Sequence, residues 1–244
     1  MKKKILKSSI HNSTELFHPN YLLVAIPSRG MVSCEFVSSL LIQDNPLNMS
    51  LRYRFELGGE VGKSRNALVN YAKRIKAEYI LFLDDDVILP PDCFNKLVYW
   101  ADKGYEVISG VYYSKQIPPQ PLIFKGRGNG YMNNWKEGDI IEDADGIGMG
   151  IALIKMRIFN EIPRPWFVSV IKEKNKATDT FISVDESLYF CDKLKRAGKK
   201  ILVDTSIQGI HFDSKNKIYY FNSQGEPCAV KDNKVLMGRP KDEN

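Results

Sequence analysis

Three consecutive carboxylates, Asp84-Asp85-Asp86, close an apolar run from Tyr79 to Leu83, and Pro90-Pro91 opens the next element. Adjacent acids repel one another, so a cation or a solvated turn must relieve them. Such a group can form a divalent metal site built from hard oxygen ligands. The plainer alternative is a solvated acidic turn ahead of a helix. Asp185-Glu186 stand where a helical pattern begins. They are candidates for a general base or an acceptor-binding acid, or for simple capping, since acids are favoured at a helix N-terminus. Arg65-Asn66 open another helical pattern, where backbone N–H groups and a guanidinium fork attract phosphate, unless they form only a solvated first turn. His211, just past a strand, is either a surface histidine or a metal ligand.

Two glycine-rich stretches invite phosphate readings. Gly58-Gly59-Glu60-Val61-Gly62-Lys63-Ser64 lies between a strand and a helix. A P-loop needs four residues between its first Gly and the Gly-Lys-Ser; Leu57 stands where that Gly should be, and starting at Gly58 leaves one residue too few. A flexible loop capped by Ser64 is the expectation. Gly146-x-Gly148-x-Gly150 lacks the GxGxxG spacing of a dinucleotide site, though its glycines let backbone approach a ligand closely.

The elements that would position these residues follow from periodicity. Tyr21 to Ile26, Tyr79 to Leu83, Val107 to Tyr113, Ile151 to Ile154 and Ile201 to Asp204 are short apolar runs, as expected of strands buried on both faces. Leu51, Tyr53, Phe55 and Leu57 alternate with polar residues, which predicts another strand. Between them, helices are expected over about 32–43, 65–76, from Pro91 to before Gly104, over 156–160, and over 185–197 ahead of Gly198. Strands alternating with helices predict an α/β fold with a mostly parallel, doubly wound sheet flanked by helices. Ligands of such sheets bind beyond the carboxyl ends of the strands, where Asp84 to Asp86 fall. A hairpin is expected around Gly126–Gly130, a loop-like lid over 161–183, and one hairpin with a polar tail after 214.

Composition limits the field. The 244 residues suit one large α/β domain, read here as a polar lead-in (1–19), a main domain (20–214) and a C-terminal hairpin and tail (215–244). The net charge of +6 is mild and suits anionic partners such as nucleotides, phosphates or a membrane surface. No basic run is dense enough for nucleic acid. Cys34, Cys93, Cys191 and Cys228 show no CxxC pairing, so neither zinc nor a disulfide framework is indicated, and a reducing, cytoplasmic setting is expected. The basic start lacks an apolar signal region, and no apolar run has transmembrane length, which leaves peripheral membrane contact open.

Taken together, the motifs resemble a nucleotide-sugar glycosyltransferase with the GT-A fold, of the family 2 type, from about Tyr21 to His211. Leu23 to Arg29 is similar to the first strand and its Pro-Ser-Arg turn. Ser64 to Val69 is similar to the family's Ala-Arg-Asn helix start, Asp84-Asp85-Asp86 to its Asp-x-Asp motif, Gly146 to Ile154 to its acceptor-side loop and strand, and Asp185 to Gly198 to its Glu-Asp-x-x-Phe-Cys helix. The resemblance implies that Pro27, Ser28 and Arg29 cradle the nucleotide, with Arg65, Asn66, Asp84 and Asp85 also on the donor. It implies Asp84, Asp86 and His211 as ligands of Mn2+ or Mg2+ bridging the diphosphate. It implies Glu186 or Asp185 as the catalytic acid-base group. One departure stands out: the family's second acid is replaced by Ser187, with Asp185 placed before Glu186 instead. The implied activity is metal-dependent, hexosyl transfer from a nucleoside-diphosphate sugar to a hydroxyl of a glycan, lipid or protein acceptor. The alternatives are a nucleotidyltransferase on a related fold and a non-catalytic carbohydrate- or nucleotide-binding module. A nucleotidyltransferase would carry a Gly-rich, basic loop directly after the first strand, of which Pro27 to Met31 offers little.

Overall fold

The computed structural model describes residues 20–47, 49–126, 130–175 and 180–237. The chain runs β1 (Asn20–Ser28), α1 (Cys34–Leu41), β2 (Met49–Leu57), α2 (Val61–Arg74), β3 (Tyr79–Leu83), β4 (Val87–Ile88), α3 (Cys93–Asp102) and β5 (Val107–Val111). Four small strands come next: β6 (Ile123–Lys125), β7 (Gly130–Tyr131), β8 (Ile140–Ile141) and β9 (Gly146–Ile147). Then come β10 (Ile151–Lys155), α4 (Ile158–Glu161), β11 (Val170–Asn175), β12 (Thr180–Val184), α5 (Glu186–Arg196) and β13 (Leu202–Gln208). The chain closes with β14 (Ile210–Asp213), β15 (Ile218–Ser223), β16 (Glu226–Lys231) and β17 (Lys234–Met237).

The central sheet has seven strands in the order β2-β1-β3-β10-β5-β13-β8. β2, β1 and β3 are parallel, and β13 is parallel to β5. β10 runs against both of its neighbours, and β8 runs against β13. The apolar runs become strands because both faces of this sheet are covered. Along β1, Leu23 and Ala25 join a core cluster with Leu68, Val69 and Ala72 of α2 and with Phe190, Cys191 and Leu194 of α5. Leu22, Val24 and Ile26 point the other way, into a cluster with Phe36 of α1 and with Phe94, Leu97, Val98 and Ala101 of α3. This is the doubly wound α/β arrangement that the alternation of elements predicts.

A second, antiparallel sheet, β17-β16-β15-β14-β4, is joined to the first through the acidic turn between β3 and β4. A small sheet, β7-β6-β9, includes the hairpin expected around Gly126–Gly130.

Several local expectations differ from the structure. α2 begins at Val61, four residues earlier than expected; its N-cap is Glu60, and Ser64 lies buried inside the helix. Gly58 is packed so closely on it that a Cβ there would lie 2.7 Å from the Ser64 hydroxyl. Ser64 has the residue type of a cap but serves as packing. The stretch 161–183, expected as loop, contains the antiparallel pair β11 and β12; its run Lys172-Glu173-Lys174 hides any apolar alternation. After residue 214 the chain forms three strands, not one hairpin. The expected lead-in, residues 1–19, and the tail beyond 237 lie outside the described residues. No helix among the described residues is long and apolar enough to cross a membrane.

Candidate active site

A cavity of about 640 Å³ opens at the carboxyl ends of β1 and β3. Pro27, Ser28, Arg29, Arg65, Asp84, Asp85, Asp86, Asp185, Glu186 and His211 all line it. These residues come from five separate stretches of chain, and backbone pairing brings them together.

The acidic turn is fixed at both ends. The Asp84 N–H donates to the Gly150 carbonyl at 3.2 Å, and the Val87 N–H donates back to the Asp84 carbonyl at 3.1 Å. β4 then pairs with β14, setting His211 opposite Val87, and the Phe212 N–H donates to the Asp86 carbonyl at 2.8 Å. This ladder delivers the imidazole to the carboxylate: His211 Nε2 lies 3.2 Å from Asp86 Oδ1. His211 Nδ1 is 2.6 Å from the Tyr113 carbonyl. A carbonyl only accepts, so Nδ1 carries a proton and Nε2 is the nitrogen turned to Asp86. On the other side of Asp86, Lys115 Nζ lies 2.5 Å from Oδ2. Burial alone would raise the pKa of Asp86; the hydrogen bond and charge of His211, with Lys115, outweigh it and hold the carboxyl well below its usual range.

Asp85 behaves oppositely. Burial pushes its pKa up, and the neighbouring Asp86 and Asp84 add to this; the Ser28 hydroxyl and the Arg29 backbone only partly offset the effect. Asp85 thus faces the turn after β1.

Arg65, from the first turns of α2, is only 2% exposed. Its Nη2 donates to Asp84 Oδ1 at 2.6 Å, and its Nη1 donates to Glu186. Burial opposes its charge, but Asp84 and Glu186 together overcome this and raise its pKa. Its Nε is buried without a partner among the described residues. Arg65 therefore bridges two acids from distant elements, an arrangement that residue spacing could not reveal.

The adjacent acids at the head of α5 have separate tasks. The Asp185 carboxylate accepts from the Leu188 N–H at 2.8 Å and caps the helix. Glu186, with its side chain 13% exposed, turns to Arg65. Asn66 has yet another role. Its amide donates to the Gly62 and Phe167 carbonyls and accepts from the Trp166 and Phe167 N–H groups. It ties α2 to the segment after α4 and does not line the cavity.

Tyr112 and Lys115 line the cavity but do not stand out in the sequence. Both lie past the carboxyl end of β5, the edge where α/β sheets place ligands, and that position was the available signal. The Tyr112 hydroxyl accepts from the Gly150 N–H at 2.9 Å, and burial pushes its pKa well up. Added Cβ atoms at Gly148 and Gly150 would lie 2.3 and 2.6 Å from the Tyr112 side chain. The second and third glycines of Gly146-x-Gly148-x-Gly150 thus make room for Tyr112.

The fit to a divalent cation can be judged from the donors. Among the described residues no group of three His, Cys, Asp or Glu side chains is arranged around a common point. Asp86 and His211 adjoin, while Asp84 is turned to Arg65. A neutral imidazole would aim its Nε2 lone pair at a carboxylate oxygen, which repels it unless a proton or a cation lies between. That pair, a carboxylate and an imidazole held by a backbone carbonyl, suits Mn2+ or Mg2+ completed by phosphate oxygens and water.

Residues 52–159 match the family model described as Glycosyl transferase family 2. The matched segment holds Arg65 and the acidic turn and stops short of Glu186 and His211. No curated protein matches the sequence. Among solved structures, A197 from STIV is 19% identical, with a TM-score of 0.60 over 91% of this chain and 100% of that one. At that identity the likeness speaks for the fold. TarS from S. aureus, in a complex with UDP-GlcNAc, is 15% identical with a TM-score of 0.46; the match covers 77% of this chain and 57% of the TarS chain. Residues 52–159 thus match the Glycosyl transferase family 2 model, and the doubly wound sheet shares its fold with A197 from STIV.

Proposed function

We propose that the chain transfers a sugar from a nucleoside-diphosphate sugar to an acceptor hydroxyl, with Asp86 and His211 holding Mn2+ or Mg2+. The observation that carries this reading is the charge layout of the cavity. Asp86, His211 and Lys115 meet on one side, and Arg65 and Glu186 meet on the other. A bound cation would offset the charge on the departing diphosphate. Lys115 and Lys215, which also line the cavity, supply further positive charge that this chain carries itself. Pro27, Ser28, Arg29 and Asp85 form the wall suited to the nucleoside.

In an inverting transfer the bond from the anomeric carbon to the diphosphate breaks as the acceptor oxygen bonds to that carbon. The hydroxyl proton must then pass to a base. Glu186 is the better candidate than Asp185, whose carboxylate is occupied by its cap. Arg65 holds the Glu186 carboxylate in one orientation, and Ser187 lies beside it.

Thermal-shift titration with a panel of nucleoside diphosphates, with and without Mn2+, tests the donor and cation together, since a ligand of the native state raises its apparent stability. The expected result is a shift that needs the cation in the wild type and is lost in Asp86→Ala. A nucleoside diphosphate that binds equally well in chelator would overturn the cation assignment. With a nucleoside triphosphate and a sugar phosphate as substrates, release of pyrophosphate would point to a nucleotidyltransferase. Turnover of neither kind would leave a binding module.

A further inference from the structure

β2 is the outermost strand of the central sheet on its side, and its nine residues keep an unbroken parallel register with β1. Its outer edge carries no strand among the described residues. An open edge of this length is a template for pairing, and proteins usually blunt one with a proline, a bulge or a short strand. β2 has none of these; its charged side chains, Arg52, Arg54 and Glu56, which can also blunt an edge, carry both signs. Tyr53, Phe55 and Leu57 are instead 46%, 40% and 68% exposed. They share a face with Leu51, which packs on the α1 and α3 side of the sheet. Arg52 and Arg54 take the opposite face, over the rings of Tyr21 and Tyr71, and Arg54 reaches Glu56 along the strand at 3.3 Å.

We propose that β2 pairs antiparallel with β2 of a second copy of this chain, across a two-fold axis at Phe55, so that two seven-stranded sheets become continuous. The strand's own sequence selects the occupant and the register. Across such an axis, directly opposed residues lie on the same face, and like charges set opposite each other are destabilising. Centring on Phe55 sets Arg54 against Glu56 of the second copy, twice over, with Tyr53 against Leu57 and Phe55 against itself. Centring one residue earlier sets Arg54 against Arg54, and one later sets Glu56 against Glu56. Centring on Tyr53 sets Arg52 against Arg54 twice, and centring on Arg52 sets it against itself. Of the registers centred from Arg52 to Glu56, the Phe55 register alone avoids a like-charge pair. The paired segment is short, and stable interfaces bury about 1,600 Å² in all, so this dimer dissociates on dilution.

Sedimentation velocity of the full chain over a concentration series tests the pairing. The wild type is expected to move from 27.9 kDa to twice that mass as concentration rises. Arg54→Glu alone and Glu56→Arg alone should each remain monomeric, with unchanged circular dichroism. Mixing the two variants should restore the dimer, because every reversed charge then meets its opposite across the Phe55 axis. A wild type that stays monomeric at every concentration overturns the proposal, as does a dimer indifferent to either reversal or a mixture that fails to associate. If only deletion of residues 1–19 allows dimers, the edge is covered by the chain's own lead-in, and the proposal fails for the intact protein.

Discussion

Replacing Arg65 with alanine would leave Asp84 and Glu186 without the cation that joins them. Breaking a buried ion pair by removing one member costs about 3–5 kcal/mol, and the lower end applies because the Asp84 side chain is one quarter exposed. Urea unfolding of Arg65→Ala should show that loss. Arg65→Lys should recover part of it, since one ammonium cannot span both carboxylates as a guanidinium fork does. A variant with wild-type stability would make Arg65 a ligand-binding group alone. The neighbouring acids separate by the same reasoning. Glu186→Gln should lower kcat by about 10²–10⁴-fold with donor binding unchanged. Asp185→Ala should cost about 1 kcal/mol of stability through its lost cap and leave turnover much nearer the wild type. Near wild-type turnover in Glu186→Gln would favour a retaining transfer without a carboxylate base. Sequence spacing singles out Asp86 and His211 one by one, but their contact depends on the β4 and β14 ladder, which links residues far apart in the chain. The Arg65 bridge is hidden for the same reason. The cap at Asp185 is local, and its possibility could be read directly from its position.

At the scale of elements, the strands buried on both faces are the most legible part of the chain, because their apolar runs are short, bounded by turn residues and rich in β-branched and aromatic side chains. Edges and starts are less so. α2 starts early because Gly58 lets the turn close on Ser64, a contact across six residues that no capping rule contains. The β14 to β17 meander is obscured because half-buried positions alternate with charge and turn residues. The glycine-rich entrance to β10 offers a test of packing. Gly150→Ala would put a Cβ 2.6 Å from the Tyr112 ring and 3.0 Å from Asp84. Overpacking of this kind costs about 1–3 kcal/mol. A lowered urea midpoint and weaker nucleotide binding are expected together, since both Tyr112 and Asp84 would move. Gly59→Ala, which meets nothing within 4 Å, is the matched control and should change neither. Equal behaviour of the two variants would show that the Tyr112 contact is dispensable.

For the whole molecule, the four thiols report on global opening. Cys93, Cys191 and Cys228 are buried and Cys34 is exposed. Burial pushes the Cys191 thiol up to about 12 and raises Cys93 as well, which keeps both in the unreactive thiol form. A thiol reagent should therefore label one cysteine quickly in the native protein and the other three only at the rate of unfolding. Fast labelling of more than one would reveal local opening of the core. The family match ends at residue 159, yet Glu186 and His211 reach the same cavity from beyond it. The site therefore exists only when both halves of the chain have docked on one sheet.

The reversed direction of β10 decides where this chain has room to vary. A strand running with its neighbours would enter the sheet at the edge away from the cavity. β10 instead enters beside Asp84, so the whole excursion from Tyr112 to Gly150 leaves and returns on the reactive side. Lys115, Leu122, Phe124 and Gly148, all from that excursion, line the cavity. Exchanges at its cavity-lining residues alter what the pocket presents, whereas Ile123, Ala144 and Ile147 of the same stretch are buried in the core. If the chain transfers a sugar as proposed, exchanging the cavity-lining residues of this excursion between two relatives, with its buried residues kept, should carry acceptor preference with them while stability stays near that of the host.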